Sequence, residues 1–213
     1  MEVYGEKPKK YTKEWWSYIW LYYKWHIIGT IFAIFMVVTT LHQCATRPRY
    51  DLQITAVTEN ELYISQLGAM ENFAKETISD ATGNGENEVY IMPIHMSEES
   101  DAATIQAGYA RFTVEMTMPE SYVFIISPRY AQAVVDSQIL ESTDAWASGV
   151  ESDGYLVSLK DNEMLKAFGI DPSSNEYYLG VVKLFEKNIE NELEKARYEN
   201  GVRFARGLLG LEG

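Results

Sequence analysis

The chain has 213 residues with 31 acidic and 18 basic side chains, a formal net charge of −13 and one cysteine. An acidic chain repels the phosphates of nucleic acids and anionic lipid headgroups, so neither is expected as a partner. A single cysteine excludes an intramolecular disulfide framework. Residues 50–213 are numerous enough for one domain with a sizeable core.

The first element is an apolar stretch at residues 27–41, preceded directly by the aromatic segment WWSYIWLYYKW. Extended back to Tyr22, it reaches the roughly 20 residues that a bilayer-spanning helix needs. Aromatic rings beside such a helix are typical of the membrane–water interface. We therefore predict a basic stub at 1–14 and an uncleaved transmembrane helix with its aromatic belt at 15–45. The residues assigned to the bilayer and its interface include Trp15, Trp16, Trp20, Trp25, Ile27 and Leu41.

Charge predicts the orientation of this helix. Five of the seven cations before residue 50 precede the apolar stretch, so the positive-inside rule places the N-terminus in the cytoplasm and residues 50–213 outside. A buried helix of a soluble protein is one alternative. A cleaved signal peptide is disfavoured because no small-residue cleavage site follows closely. A lipoprotein with lipidated Cys44 is disfavoured by the large residues His42 and Gln43 before it.

Beyond the anchor, apolar residues alternate between a period of two and a helical period. Asn60, then Ser100 or Asp101, then Ser127 are the expected N-caps, and Pro128 suits a first helical position. Pro93 indicates an edge strand. The predicted elements are a strand at 52–58, a helix to about 79, a turn-rich loop, a strand at 88–96, a helix ending before Pro119, a strand at 122–126 and a helix from 127.

The pattern loosens after residue 141. Residues 142–155 read as a long exposed loop, a functional or mobile segment whose Trp146 is a candidate contact for a protein partner. A short helix closing at Gly169, a strand at 177–184 and a final helix at about 187–209 follow. Alternating strands and helices predict the α/β class: one N-terminal transmembrane helix, then a single α/β domain with a mainly parallel sheet and a C-terminal helix.

The catalytic inventory is thin. His95 is the one histidine beyond the anchor region, and no nucleophile elbow, P-loop or zinc-protease motif is present. His95 with Glu98, Glu99 and Asp101 could bind a metal, although a lone histidine at a strand end is more often structural. We therefore expect no enzyme activity and no cofactor, with a hydrolase as the least favoured alternative.

One loop has the opening rhythm of a calcium site, with oxygen donors at alternate positions before a glycine. The donors are Asp80, Thr82, Asn84 and Glu86. The bidentate glutamate expected at position twelve is replaced by Ile91. An ordinary glycine-rich turn is the favoured interpretation, so no metal is predicted.

Open α/β sheets bind ligands at the carboxyl ends of their strands. Applied to the predicted strands, that rule selects five candidate ligand-binding residues: Thr58, Glu59, His95, Ser127 and Arg129. Arg129, close to a predicted helix start, is the best candidate for an anion contact. A solvated arginine on a helix surface is the alternative.

Several segments carry a resemblance that spans most of the chain: YYKWHIIGTIF, YDLQITAV, the Asp-x-x-Gly-Asn-Gly turn, QAGYARFTVEM with SYVFIIS, and YYLGVVK. In these the chain resembles uncharacterised single-pass membrane proteins of clostridia and related Gram-positive bacteria. Their outer domain is similar to one lobe of an extracellular solute-binding protein. The anchor, the thin catalytic inventory and the loop that carries Trp146 favour a membrane-anchored interaction domain in an envelope or transport assembly. Small-ligand binding at the strand ends is the alternative.

Overall fold

The computed structural model describes residues 10–45, 49–172 and 176–211. Residues 1–9 of the predicted basic stub therefore lie outside the described residues. Two compact units are distinguished, Met1–Pro48 and Arg49–Gly213. The second unit, called the outer domain below, contains the sheet and both hydrophobic cores.

The described residues form helices and strands in the alternating order that the sequence predicts, together with a short 3-10 helix at Glu186–Asn188. The helices are α1 Lys13–Ala45, α2 Ile64–Thr77, α3 Ala102–Thr117, α4 Pro128–Asp136, α5 Thr143–Trp146, α6 Glu163–Ala167 and α7 Glu192–Leu208. The strands are β1 Leu52–Thr58, β2 Val89–His95, β3 Val123–Ile126, β4 Val157–Ser158 and β5 Tyr178–Val181.

The five strands form one sheet in the order β2-β1-β3-β5-β4. β2, β1 and β3 are parallel, whereas β5 is antiparallel to both of its neighbours. All four residues of β3 are buried, as expected for a central strand covered on both faces. The mixed α/β class and the mostly parallel sheet are therefore confirmed.

β2 is an edge strand, as Pro93 predicted. The amide of Met96 donates to the carbonyl of Thr58 at 2.9 Å. Backbone amide and carbonyl groups alternate in direction along a strand. The amides and carbonyls of the odd-numbered residues of β2 therefore face away from β1. Pro93 thus removes an amide that would face outward, and this blunts the edge against pairing with another chain.

Helices cover both faces of the sheet. One core lies between the sheet and α2, α6 and α7, with Met70, Leu165 and Phe204 at its centre. The other lies between the sheet and α3 and α4, with Phe112 and Val134. The outer domain is therefore a three-layer α/β/α structure with a self-contained interior.

Helix starts depart from prediction at two places. Asp101 caps α3 by accepting from the amides of Ala103 and Thr104, as expected. Asn60, in contrast, is not the N-cap of α2. That position is Tyr63, whose amide donates to the Gln66 side chain at 2.8 Å. The last helix, α7, also begins later than predicted, after a cap from Asn191.

The predicted long loop at 142–155 is wrong in part, because it contains α5 and leads into β4. Trp146 is only 1% exposed and belongs to the first core. Burying a Trp side chain removes 150–250 Å² from water by typical values, which is sufficient reason for this segment to fold inward. Trp146 is therefore a core residue, and its side chain is not available as an exposed partner contact.

The start of β1 is fixed by buried polar groups that the sequence did not single out. The carboxylate of Asp51 accepts from the amides of Ala81, Thr82 and Glu88 at 2.6–2.8 Å. The side-chain amide of Asn200 on α7 donates to the carbonyl of Asp51 at 3.2 Å. Both side chains are fully buried, so their hydrogen bonds hold α7 and the turn after α2 against β1.

Helix α1 contains one segment, Tyr23–Leu41, that is long and apolar enough to cross a membrane, with a mean hydropathy of 1.6. The hydroxyls of Thr30, Thr39 and Thr40 donate to carbonyls one turn earlier in the same helix. The polar groups of these threonines are thus satisfied within the segment, as a bilayer requires. Trp16, Trp20, Trp25 and Leu41 are exposed on this helix, and Trp15 and Ile27 are half-buried.

Candidate functional site

Four hydrogen-bonding side chains form a row across the carboxyl ends of the parallel strands. His95 and Thr58 are register partners at the ends of β2 and β1. One further step along the register places Ser127 beside Thr58 and Tyr177 beside Ser127. Residues in register share one face of a sheet, so the strand-end row His95–Thr58–Ser127–Tyr177 lies on the α2 side.

Two atoms of the strand-end row lack a partner. Within the described residues, Thr58 Oγ1 and His95 Nδ1 are buried and make no hydrogen bond. Thr58 is 1% exposed. Buried polar atoms are normally paired, and leaving one unpaired costs about 1–3 kcal/mol. This edge of the sheet therefore has two buried atoms, at neighbouring register positions, that lack a hydrogen-bond partner.

Ser127 joins two strand ends. Its hydroxyl accepts from the amide of Glu59 at 3.2 Å, and its own amide donates to the carbonyl of Val57 at 2.8 Å. Ser127 precedes α4 as its N-cap, with Pro128 at the first helical position, although its side chain makes no capping bond. The hydroxyl therefore fixes the path of the chain that leaves β1.

Arg129 lies at the same edge of the sheet, where two carboxylates balance its positive charge. Its Nη1 is 2.7 Å from Oε1 of Glu98 and 3.7 Å from Oε1 of Glu59. Glu98 raises the pKa of the guanidinium above its ordinary value. An incoming anion would meet two carboxylates already held on this arginine, which weakens the predicted anion contact.

The charge of Glu59 influences one tyrosine in each core. Burial raises the pKa of Tyr177, which packs in the first core, and the Glu59 carboxylate raises it further. Burial also raises the pKa of Tyr130, in the second core, with smaller contributions from Tyr109 and Glu59. The Tyr109 and Tyr130 rings meet edge-on at 6.3 Å. The strand ends thus combine a carboxylate with aromatic groups on both sides.

The structure brings together all five residues that sequence reasoning assigned to a ligand site. It adds Tyr177, Glu98, Tyr109 and Tyr130, which were not among them. Tyr177 could have been predicted only if the antiparallel pairing of β5 with β3 were known. That pairing puts the residue immediately before β5 at the carboxyl ends of the parallel strands.

The residues of the calcium-like turn bond to one another and to neighbouring groups of the protein. Asp80 accepts from the amides of Gly83 and Gly85 at 2.6 and 2.7 Å, and these bonds lower its pKa, the Gly85 amide most. Asn84 accepts from the amide of Glu86 and donates to Glu88. Thr82 donates to Asp80. No group of three or more His, Cys, Asp or Glu side chains suited to a metal is found among the described residues.

An open cleft of about 620 Å³ lies away from the strand-end row. It is lined by Thr117, Pro119 and the segment 183–188. Lys183 and Lys187 place their ammonium groups 5.7 and 5.9 Å from the centre of the Phe185 ring. Two polar atoms of the strand-end row are buried without a partner among the described residues, and neither belongs to a residue that lines this cleft. We therefore favour the row as the candidate site.

No protein-family model, curated protein or solved structure matches the chain.

Proposed function

We propose that this protein is a membrane-anchored, extracytoplasmic module that binds a small polar ligand at the carboxyl ends of its parallel strands. The observation that carries the proposal is the pair of buried, unpaired atoms Thr58 Oγ1 and His95 Nδ1. A ligand that bonds to both would recover free energy that the folded protein otherwise loses. This gain in free energy favours a ligand-binding role for the strand-end row over a purely structural one.

The position of the row supports the same function. In open α/β sheets the loops after parallel strands diverge and leave a crevice at their carboxyl ends. Here those ends carry hydroxyl, imidazole, carboxylate and guanidinium groups from three strands and the chain that follows them. Such convergent polar groups fix the orientation of a ligand. Binding requires no reaction, so the proposal is a non-enzymatic module without a cofactor.

The anchor and the sequence resemblance support a location of the module at the cell surface. We assign α1 as a single membrane span with its N-terminus in the cytoplasm, because most of the cations lie before the apolar stretch. The outer domain then faces the outside of a Gram-positive cell. Its resemblance to one lobe of a solute-binding protein suggests a role in an envelope or transport assembly.

A thermal-shift screen tests the function. The outer domain, residues 49–213, contains both cores and is suited to study alone. It is screened against amino acids, peptides, sugars, amines, phosphate and calcium. A ligand at one hundred times its Kd adds about 2.7 kcal/mol to the stability of the folded state, so a dose-dependent rise in Tm is expected.

Matched variants locate the binding. Thr58→Val removes the unpaired hydroxyl and is expected to abolish the rise. Thr113→Val removes an exposed hydroxyl that donates to its own helix at Tyr109 and is expected to leave the rise intact. A flat screen on folded protein would contradict ligand binding.

A protein partner is the second candidate function. It is favoured by Tyr63 and Ile64 at the start of α2, which are 67% and 90% exposed. Large apolar side chains exposed side by side are typical of contact surfaces. Cross-linking of the full chain in its native membrane tests this candidate, and Ile64→Asp should abolish the cross-linked product.

A further inference from the structure

The two buried, unpaired atoms of the strand-end row have different hydrogen-bonding roles. The hydroxyl of Thr58 can both donate and accept. Nε2 of His95 lies 3.3 Å from Oγ of Ser100, and in the uncharged ring Nδ1 takes the role that Nε2 does not. Nδ1 therefore donates in one tautomer and accepts in the other. A ligand group that can both donate and accept fits the pair in either tautomer.

The strand-end row contains no carboxylate, ammonium or guanidinium group. Its hydroxyl-bearing members Thr58, Ser127 and Tyr177 are 1%, 4% and 2% exposed. The adjacent carboxylate of Glu59 is already within 3.7 Å of Arg129. A charged ligand group placed against the buried pair would lose its water without gaining an opposite charge. The ligand group at the pair is therefore uncharged, and a hydroxyl combines that neutrality with both hydrogen-bonding roles.

Ser127 offers a further hydrogen bond beside the pair. Its hydroxyl accepts from the amide of Glu59 at 3.2 Å, and within the described part of the chain its own proton has no acceptor. Adjacent strands are about 4.7–4.9 Å apart. A ligand with hydroxyls on more than one carbon atom can therefore bond to the pair and to Ser127 together.

We propose, resting on the ligand-binding function above, that the ligand of the strand-end row is an uncharged polyhydroxy compound, a sugar or a polyol. One of its hydroxyls bonds to Thr58 Oγ1 and His95 Nδ1, and a second accepts from Ser127. Recognition then depends on the direction of hydrogen bonds and not on charge.

Calorimetric titration of residues 49–213 tests the chemical class. The hydroxyl probes are erythritol, xylitol, myo-inositol, glucose, galactose, mannose and maltose, and butane-1,4-diamine, succinate and succinamide represent amines, carboxylates and amides. We expect at least one hydroxyl probe to bind and the other three compounds not to bind. Preference for any of those three, or no binding of any hydroxyl probe, would overturn the polyhydroxy class. The thermal-shift screen decides separately whether the domain binds a ligand at all.

Variants of Thr58 separate the role of its hydroxyl from the role of its shape. Thr58→Val is expected to weaken binding of the hydroxyl probe by about tenfold or more, because a buried hydroxyl of the ligand then loses a partner. Thr58→Ser keeps the hydroxyl and is expected to retain most of the affinity. Thr113→Val, which removes an exposed hydroxyl on α3, is the matched control and should change nothing. Equal losses in the Val and Ser variants, with the melting transition retained, would overturn a bond between Thr58 and the ligand.

Crystal structures of the domain with and without the bound probe locate the contact. One hydroxyl of the probe should lie within hydrogen-bond distance of both Thr58 Oγ1 and His95 Nδ1. An ordered water that holds this place in both structures would satisfy the two atoms without a ligand, and it would overturn the proposal.

Discussion

Thr55 and Thr58 are three residues apart on β1, and both are buried. Thr55 Oγ1 is 2.7 Å from the hydroxyl of Ser121, which is also buried. Thr58 Oγ1 has no partner within the described residues. The two threonines therefore allow a paired and an unpaired buried hydroxyl to be compared, within a single strand, for their contributions to the free energy of unfolding.

Replacement of each threonine by valine should separate the two cases. Thr55→Val leaves the Ser121 hydroxyl buried and unpaired, so we expect a loss of about 1–3 kcal/mol in the free energy of unfolding. Thr58→Val removes an unpaired polar atom and should be neutral or stabilising. Urea denaturation of residues 49–213 measures both, provided that the m-value is unchanged. An equal loss of stability in the two variants would show that the Thr58 hydroxyl has a partner and is not available to a ligand.

The residues of the candidate site were predictable to different degrees. Thr58, His95 and Ser127 follow from the alternation of strands and helices, because the last residue of a parallel strand falls at a known edge. The partners of Arg129 do not follow. Its contacts with Glu59 and Glu98 depend on the shape of two loops, and loop geometry has no periodic signal in the sequence.

At the scale of an element, two helical glycines have opposite surroundings. Gly201 on α7 faces the sheet, where a Cβ would lie 2.9 Å from Tyr122 Cβ and 3.4 Å from Val123 Cγ2. Gly68 on α2 has nothing within 4 Å of the corresponding position. The absence of a side chain at Gly201 therefore sets the distance between α7 and β3.

Alanine at these positions should change stability in opposite directions. Gly201→Ala forces α7 away from the sheet, and such overpacking costs about 1–3 kcal/mol. Gly68→Ala lowers the entropy of the unfolded chain and should stabilise the domain by about 0.5–1 kcal/mol. Thermal unfolding of the two variants gives the signs directly. A stable Gly201→Ala variant would mean that α7 can move outward without loss of packing.

The elements themselves were largely predictable, because the outer domain packs its helices and strands with regular periods. The segment after α4 was not. Residues 142–155 are rich in turn residues, yet Trp146 is drawn into the core through α5. Burial of one large ring outweighs the local preference for an exposed loop, and a reading of local preferences does not include that long-range gain. The antiparallel direction of β5 was likewise not predicted from its residues.

At the scale of the whole molecule, the distribution of charge separates the chain into two parts. The 11 basic residues beyond residue 49 are outnumbered by 28 acidic ones, whereas cations predominate in the segment before the apolar stretch. Positive residues close to a span resist translocation, and a strongly acidic domain faces no corresponding barrier. The cations before the apolar stretch therefore favour a cytoplasmic N-terminus, and the acidic domain does not oppose it.

Protease protection tests that orientation in the full chain. With a tag at each end, protease added to intact protoplasts should remove the C-terminal tag and leave an N-terminal fragment that contains the stub and α1. Detergent-permeabilised protoplasts, as the control, should lose both tags. Because the acidic domain and the basic stub cannot exchange sides without moving several cations across the bilayer, we expect a single pattern. Protection of the C-terminal tag would place the strand-end row inside the cell and contradict an extracytoplasmic binding module.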